Sequence, residues 1–428
     1  MFRKIVLASV LLCVFFVCRD AYGRVYIDID SPSLPKFPIA ITDFDCPGDR
    51  EGNSVWFPDQ LGKMLRLTGY FQVIDKKAFL DPGTGGIRFA DWSAIGAESL
   101  VKGAVRNEGK GLSSDFHLYD VTQGKSLVSK RYTGTGRDRR AMVLRFASEI
   151  MLALTGEAGV FDTRIAFAGK KGKNSDLYTV NFDGTGLTRL TDLRTLTMLP
   201  HWSPDGRQIS FTSYKRGNPD LCVIGSKGGP DQILSKASGL NLSGPWSSDG
   251  RSLLVTSSRD GNEELYLFHL REGKMVRLTN DSSIDVSPSW SPDGRQIAFV
   301  SNRSGSPQIY IMDANGYNVK RITYEGNYNT SPRWSPKGDR IAFEGLRGGN
   351  FQILTMNSEG GQITQLTSRG RNDSPCWSPD GRYLSFVSSS GGKSRLCVIN
   401  SNGSNFRVVH EGMDKYMNPN WSPRLNFD

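Results

Sequence analysis

Apolar and polar positions in residues 163–428 follow one grammar of short strands and turns. Residues 297–323 show it in full. An apolar strand from Ile297 is followed by a polar turn. Then come the alternating Gln308-Ile309-Tyr310-Ile311-Met312, an Asn315-Gly316 hairpin turn and a last strand from Val319 to Ile322. Alternation with period two, bounded by Asn-Gly and similar pairs, predicts antiparallel hairpins. With the segment that leads into the next tryptophan, each unit holds four strands. No stretch of ten or more residues in this region has the 3.6 period of a helix, which excludes a helical repeat.

The units recur at a fixed interval. Trp202, Trp246, Trp290, Trp334, Trp377 and Trp421 follow one another at steps of 44, 44, 44, 43 and 44 residues. Each sits in a near-copy of one phrase, among them HWSPDGRQISF, PWSSDGRSLLV, SWSPDGRQIAF and RWSPKGDRIAF. A period of this length built from four strands predicts a β-propeller. The six tryptophans are expected to pack between neighbouring blades, and the Ser-Pro-Asp-Gly phrases to fix tight turns. Ile165-Ala166-Phe167 and Leu177-Tyr178 match Ile297-Ala298-Phe299 and Ile309-Tyr310 in register but lack a preceding tryptophan phrase, whereas residues 416–423 carry such a phrase without its remainder. Six blades, with the C-terminal strand completing the blade begun at residues 163–192, account for both halves. Closing the ring leaves no open sheet edge.

The preceding region mixes periods. A strand from Pro38 to Phe44, a helix from Val55 to Thr68 and a strand over 71–74 are followed by a helix near Trp92–Glu98. After these come a strand over 100–105, a hairpin from Phe116 to Tyr132 and a helix from Asp138 to Leu154, stopped by Gly156. The fold class is thus an all-β six-bladed propeller preceded by a small α/β domain. The expected divisions are 1–23, 24–162 and 163–428. The first is read as a cleaved signal peptide: Arg3 and Lys4 precede a predominantly apolar run from Ile5 to Val17, and Ala21-Tyr22-Gly23 supplies small residues for cleavage. That run is shorter than the ~20 residues a spanning helix needs.

Charge and chemistry refine this picture. The chain of 428 residues carries +10 overall, and the excess lies in the C-terminal part, where 163–428 holds 32 basic and 24 acidic side chains against 18 and 18 in 24–162. Scattered basic residues without long runs fit either ordinary solubilising charge or an acidic partner. Export argues against nucleic acid. Catalytic signatures are missing: there is no Gly-x-Ser-x-Gly elbow, no His-Glu-x-x-His, and Gly83-Thr84-Gly85-Gly86 lacks the lysine of a phosphate loop. One aspartate per blade does not make a calcium cage, so neither metal nor cofactor is expected. Cys46, Cys222, Cys376 and Cys397 are expected to stay unpaired, since equivalent positions in non-adjacent blades are too far apart to bridge.

Three further phrases carry a resemblance. Asp91-Trp92-Ser93-Ala94-Ile95-Gly96 with Val101-Lys102-Gly103, Leu154-Thr155-Gly156 leading into Thr163-Arg164-Ile165-Ala166-Phe167, and Pro419-Asn420-Trp421-Ser422-Pro423 all resemble the TolB family, as does the order of domains. The resemblance implies a periplasmic, non-enzymatic protein-interaction module of the Tol-Pal system. Such a module links TolA, TolQ and TolR at the inner membrane to the peptidoglycan-associated lipoprotein Pal, and it supports outer-membrane integrity and envelope constriction in cell division. It implies that Arg24, Val25, Tyr26, Ile27, Asp28, Ile29 and Asp30 engage TolA; their strict alternation suits strand addition, and equally a fixed first strand of the α/β domain. It implies that Pal docks on loops leading into the tryptophan strands. The positions taken for this are Met198 and Leu199, Leu240 and Asn241, Asp285 and Val286, Asn329 and Thr330, Asn372 and Asp373, and Tyr416 and Met417. The competing reading is a propeller lyase or hydrolase acting on envelope polysaccharide, which needs a convergent acid-base cluster in the central pocket. A third is a scaffold for some unrelated exported protein.

Overall fold

The computed structural model describes residues 35–80, 86–109 and 111–425. The segment Arg24–Asp30 expected to engage TolA, the expected signal peptide and most of the residues 83–86 lie outside the described residues.

The first unit is a five-stranded sheet with two long helices on one face and a short one on the other. Its elements are β1 (Phe37–Ile41), α1 (Asn53–Thr68), β2 (Phe71–Val73), α2 (Phe89–Ala94), β3 (Ser99–Glu108), β4 (Gly111–Asp120), β5 (Lys125–Gly134) and α3 (Arg139–Thr155). The sheet order is β2-β1-β3-β4-β5, parallel around β1 and antiparallel from β3 onward. Asp49 starts α1 by accepting the N–H groups of Asn53 and Ser54 at 2.9 and 2.8 Å, which hold its carboxyl down to about 2. Gly69 and Gly156 end α1 and α3 with φ of 81° and 76°, a backbone that residues with a Cβ rarely adopt. The stripe Met142, Phe146, Ile150 and Leu154 is buried. The second helix starts three residues and ends four residues earlier than its spacing suggested; its end is set by Gly96, which takes positive φ and turns the chain into β3.

The rest is a ring of six four-stranded sheets. The innermost strands are Thr197–Trp202, Asn241–Trp246, Asp285–Trp290, Asn329–Trp334, Arg371–Trp377 and Lys415–Trp421, numbered below as blades 1 to 6. Neighbouring inner strands contact each other all the way round, including blade 6 with blade 1. In blade 6 the C-terminal strand pairs with Arg164–Lys171, Trp421 opposite Ile165, so residues from both ends of the region share one sheet.

The tryptophans lie at the seams. Trp202, for example, packs with Ile209 and Phe211 of its own blade against Ala166, Ala168 and Leu177 of blade 6. The Trp246 and Trp377 indole N–H groups donate to the carbonyls of His201 and Arg333 in the preceding blade, at 3.0 and 2.9 Å. The Ser-Pro-Asp-Gly phrase closes the turn after the inner strands of blades 1, 3 and 5, and variants of it do so in the other three. In blade 3 the Asp293 carboxylate accepts from the Ser291 hydroxyl (2.6 Å) and the Arg295 N–H (3.1 Å), while Gly294 sits at φ 70°. At the seam of blades 5 and 6 the propeller core merges with that of the α/β unit through Phe161, Phe182, Tyr383 and Trp421.

Candidate functional site

All inner strands run in one direction along the channel, so the ring has two chemically different mouths. One is built by the loops that enter the inner strands, the other by the turns that follow each tryptophan. The α/β unit occupies the second. Arg382 donates to the Thr155 hydroxyl at 2.9 Å and pairs with Glu157 at 3.2 Å, Asn400 and Asn405 donate to the carbonyls of Thr68 and Leu67, and Arg140 pairs with Asp183 at 3.1 Å. Every propeller residue in these contacts lies in a turn at the tryptophan end or, in the case of Asn400, is the strand residue just before one.

The free mouth is the basic one. Its loops, at 170–174, 192–196, 214–219, 236–240, 258–263, 280–284, 302–307, 324–328, 346–350, 368–370, 390–393 and 412–415, hold thirteen Lys and Arg against six Asp and Glu. The turns at the covered mouth hold eight against nine, over 182–187, 203–207, 226–231, 247–251, 270–273, 291–295, 314–319, 335–339, 358–363, 378–382, 401–406 and 422–425. The C-terminal charge excess is thus gathered on one face, where it acts as a field toward anionic partners.

The residues taken from the sequence as docking loops fall elsewhere. All but Leu240 lie inside the inner strands, and alternation divides them. Five residues before each tryptophan, Asn241, Asp285, Asn329, Asn372 and Tyr416 are at most 1% exposed. They point into the blades. Asn241 donates to the Ala237 carbonyl at 2.7 Å, Asp285 pairs with Arg303 at 2.7 Å, Asn329 and Asn372 donate to the Gln308 and Gln352 side chains at 2.9 Å, and Tyr416 meets His410 at 2.5 Å. This ring fastens the entry loops and offers no side chain to a partner. The next position is partly exposed, at Met198, Val286, Thr330, Asp373 and Met417; Val286 borders the channel, whereas Met417 packs against the seam of blades 6 and 1. Leu240 and Leu199 are also partly exposed. Leu199 shares with Ser287, Ser331, Ser374 and Asn418 a left-handed backbone, φ between 49 and 58°, at a bulge that turns the strand within the channel. A bulge leaves no mark in an alternation pattern, so the sequence does not show which of these positions faces the channel.

The channel holds buried ionisable groups that the repeat pattern did not single out. At the covered mouth a cavity of about 570 Å³ is bounded by the tryptophan phrases of blades 2 to 6. Above it a smaller one, about 50 Å³, lies among Leu199, His201, Leu242, Val286 and Pro288. Arg333 borders both. Burial, then the nearby Arg333 charge, pushes His201 down to about 3, so its imidazole is neutral. Burial and then the neighbouring Asp373 carboxylate push Glu344 up to about 7. Burial likewise raises the Cys376 thiol. Among the described residues these groups bond to the backbone rather than to one another: His201 to the Leu199 carbonyl (3.1 Å), Glu344 to the Ser374 N–H (2.7 Å), Cys376 to the Trp421 N–H (3.3 Å). No three potential metal ligands cluster among the described residues, and the four cysteines there are unpaired. The sequence signal for Arg333 was its place directly before Trp334, where the other phrases have His201, Pro245, Ser289, Cys376 and Asn420.

Two family models match the chain in tandem, the TolB amino-terminal domain over residues 25–127 and the TolB beta propeller domain over 152–425. Curated relatives include the Tol-Pal system protein TolB of Syntrophus aciditrophicus, 47% identical over 216 residues (47% of this chain, 48% of the relative). That of Geobacter sulfurreducens is 43% identical over 148 residues, 34% of each chain. The chain spans about half the length of the curated relatives it matches, or less. Among solved structures, TolB from Acinetobacter baumannii aligns over 91% of this chain and 97% of its own, with a TM-score of 0.82 at 27% identity.

Proposed function

Since the chain belongs to the TolB family, we propose that it is a periplasmic, non-enzymatic member of the Tol-Pal system that joins the TolA, TolQ and TolR assembly of the inner membrane to the lipoprotein Pal. In this reading it helps maintain outer-membrane integrity and envelope constriction at division. The observation that carries it is the tandem match to both family models, over 25–127 and 152–425, in a molecule whose α/β unit covers one mouth of the ring. The uncovered basic mouth is the surface assigned to Pal, with the partly exposed Met198, Val286, Thr330, Asp373 and Met417 and the basic loops around them. Residues Arg24–Asp30 are assigned to TolA. Among the described residues the chain has no helix long and apolar enough to cross a membrane, which is compatible with a role between two membranes.

Affinity capture from a periplasmic extract by the full mature chain tests the reading. Pal and TolA should be retained, and removal of Arg24–Asp30 should abolish TolA capture while sparing Pal. Absence of both proteins from the eluate, or turnover of an envelope glycan by the purified protein, would replace this function with a scaffold for other partners or an enzyme.

A further inference from the structure

Arg333 is the exception in its ring of equivalent positions. In three blades the residue before the tryptophan accepts the N–H of the next blade's tryptophan: Asn420 from Trp202 at 2.9 Å, Ser289 from Trp334 at 3.0 Å, and Cys376 from Trp421 at 3.3 Å. A guanidinium has only donors and cannot take this part. Arg333, on blade 4, instead borders a cavity whose other walls come from blades 1, 2 and 3, placing its head in the channel itself.

That head has no salt-bridge partner among the described residues, and Glu344 acts on it only at longer range. Its one side-chain hydrogen bond among the described residues runs to the carbonyl of its own neighbour Pro332, at 3.4 Å, and its Nε is buried without a partner. The nearby acids are engaged elsewhere, Glu344 with the Ser374 N–H and Asp373 with Arg371 at 3.1 Å. His201, kept neutral by burial, supplies no negative charge either. A buried cation without an anion is costly unless a ligand completes it. The guanidinium fork matches the two oxygens of a carboxylate. The cavity beside it, about 50 Å³, has an apolar side made by Leu199, Leu242, Val286 and Pro288, with room for a few methylene groups, and a polar side with His201, Ser243, Thr256 and Ser287. The basic loops of the free mouth would concentrate anions at its entrance.

We infer that the channel at Arg333 is a binding site for a carboxylate borne on a short apolar stem, seated on the guanidinium between the two cavities. Two sources share this chemistry, a free short-chain acid and the side chain of a glutamate in an entering peptide.

The Arg333 Nε–H resonance of the isotopically labelled full mature protein reads the site directly. Propionate and N-acetylglutamate amide are titrated separately against sodium perchlorate at matched ionic strength. Saturable movement with propionate alone identifies a free acid as the ligand. Saturable movement with the glutamate derivative at lower concentration identifies a peptide side chain. A resonance that neither compound moves beyond the perchlorate control overturns the inference. The melting temperature supplies the control on the residue: the same ligand should raise it in the wild type, at least tenfold more of the ligand should be needed in Arg333→Lys, and no rise should remain in Arg333→Met. An undiminished rise in a folded Arg333→Met also overturns it, and the wild-type titration stands if that variant fails to fold.

Discussion

Thr191, Thr279, Thr323 and Thr367 repeat a bond that no blade can make from its backbone alone. Each hydroxyl accepts the N–H of the residue fourteen positions earlier, Leu177, Leu265, Ile309 or Ile353, at 2.8–2.9 Å. Each also donates to the side chain just before that residue, Asp176, Glu264, Gln308 or Gln352, at 2.5–3.0 Å. In blade 3, Gln308 then receives Asn329, the first residue of the next inner strand, so one hydroxyl links an outer strand to the following blade. Replacing Thr323 by Val keeps the volume but leaves the buried Ile309 N–H unpaired and takes one of two donors from the Gln308 oxygen, which keeps Asn329, a loss of about 1–3 kcal/mol. Urea unfolding should show the midpoint of Thr323→Val falling accordingly, with Thr323→Ser losing less. An unchanged midpoint in the valine variant would mean that water or a shifted backbone satisfies the Ile309 N–H. The Leu-Thr or Ile-Thr pair at these positions was visible in the repeats, as were the tryptophans. Its bond was not, because the partner is fixed only once strands three and four of a blade have paired.

Elements were readable wherever a side chain's periodicity reports its burial, and unreadable where the backbone departs from it. The hairpins and the stripe of α3 follow from spacing. The bulged inner strands do not, and a one-residue slip there exchanges a buried residue for a partly exposed one. Glu344 shows what such a strand pair can store. It lies on the strand Arg340–Arg347 and faces the inner strand of blade 5, where Asp373 adds a second carboxyl. Its folded value of about 7 stands above the ordinary 4.5, so between those values the folded protein holds a proton that the unfolded chain has released. The contribution to stability is therefore full below about pH 4.5 and is lost as pH rises through about 7, a swing on the order of 3 kcal/mol. Glu344→Gln, which cannot titrate, should gain on the wild type by that amount between pH 4.5 and pH 8. Denaturant curves of both proteins at the two pH values check it. A gap of equal size at both would mean that Glu344 does not carry the proton.

At the scale of the whole molecule the ring converts a scattered sequence property into a vector. Thirteen basic against six acidic residues at the open mouth, and eight against nine at the mouth held by the α/β unit, come from loops spread along the entire C-terminal region. Sequence counting could locate the charge excess in that region but not on a face, since the two classes of loop alternate along the chain and separate only when the blades close. Charges at the rim of an interface act chiefly on encounter, raising the association rate and making it depend on salt. If the open mouth receives Pal, capture should weaken as ionic strength rises from about 50 to about 500 mM, with the association rate falling several-fold and the dissociation rate changing less. Arg369 and Lys393 are exposed on this rim, and their reversal to Glu should lower the association rate and flatten its salt dependence. Arg251, exposed on a turn at the other mouth, serves as the control, and Arg251→Glu should leave both unchanged. Surface plasmon resonance across a salt series separates the outcomes. Equal sensitivity to Arg251→Glu and to the rim reversals would mean that net charge rather than its placement drives the encounter, and a rate indifferent to salt would move the docking surface off this mouth altogether.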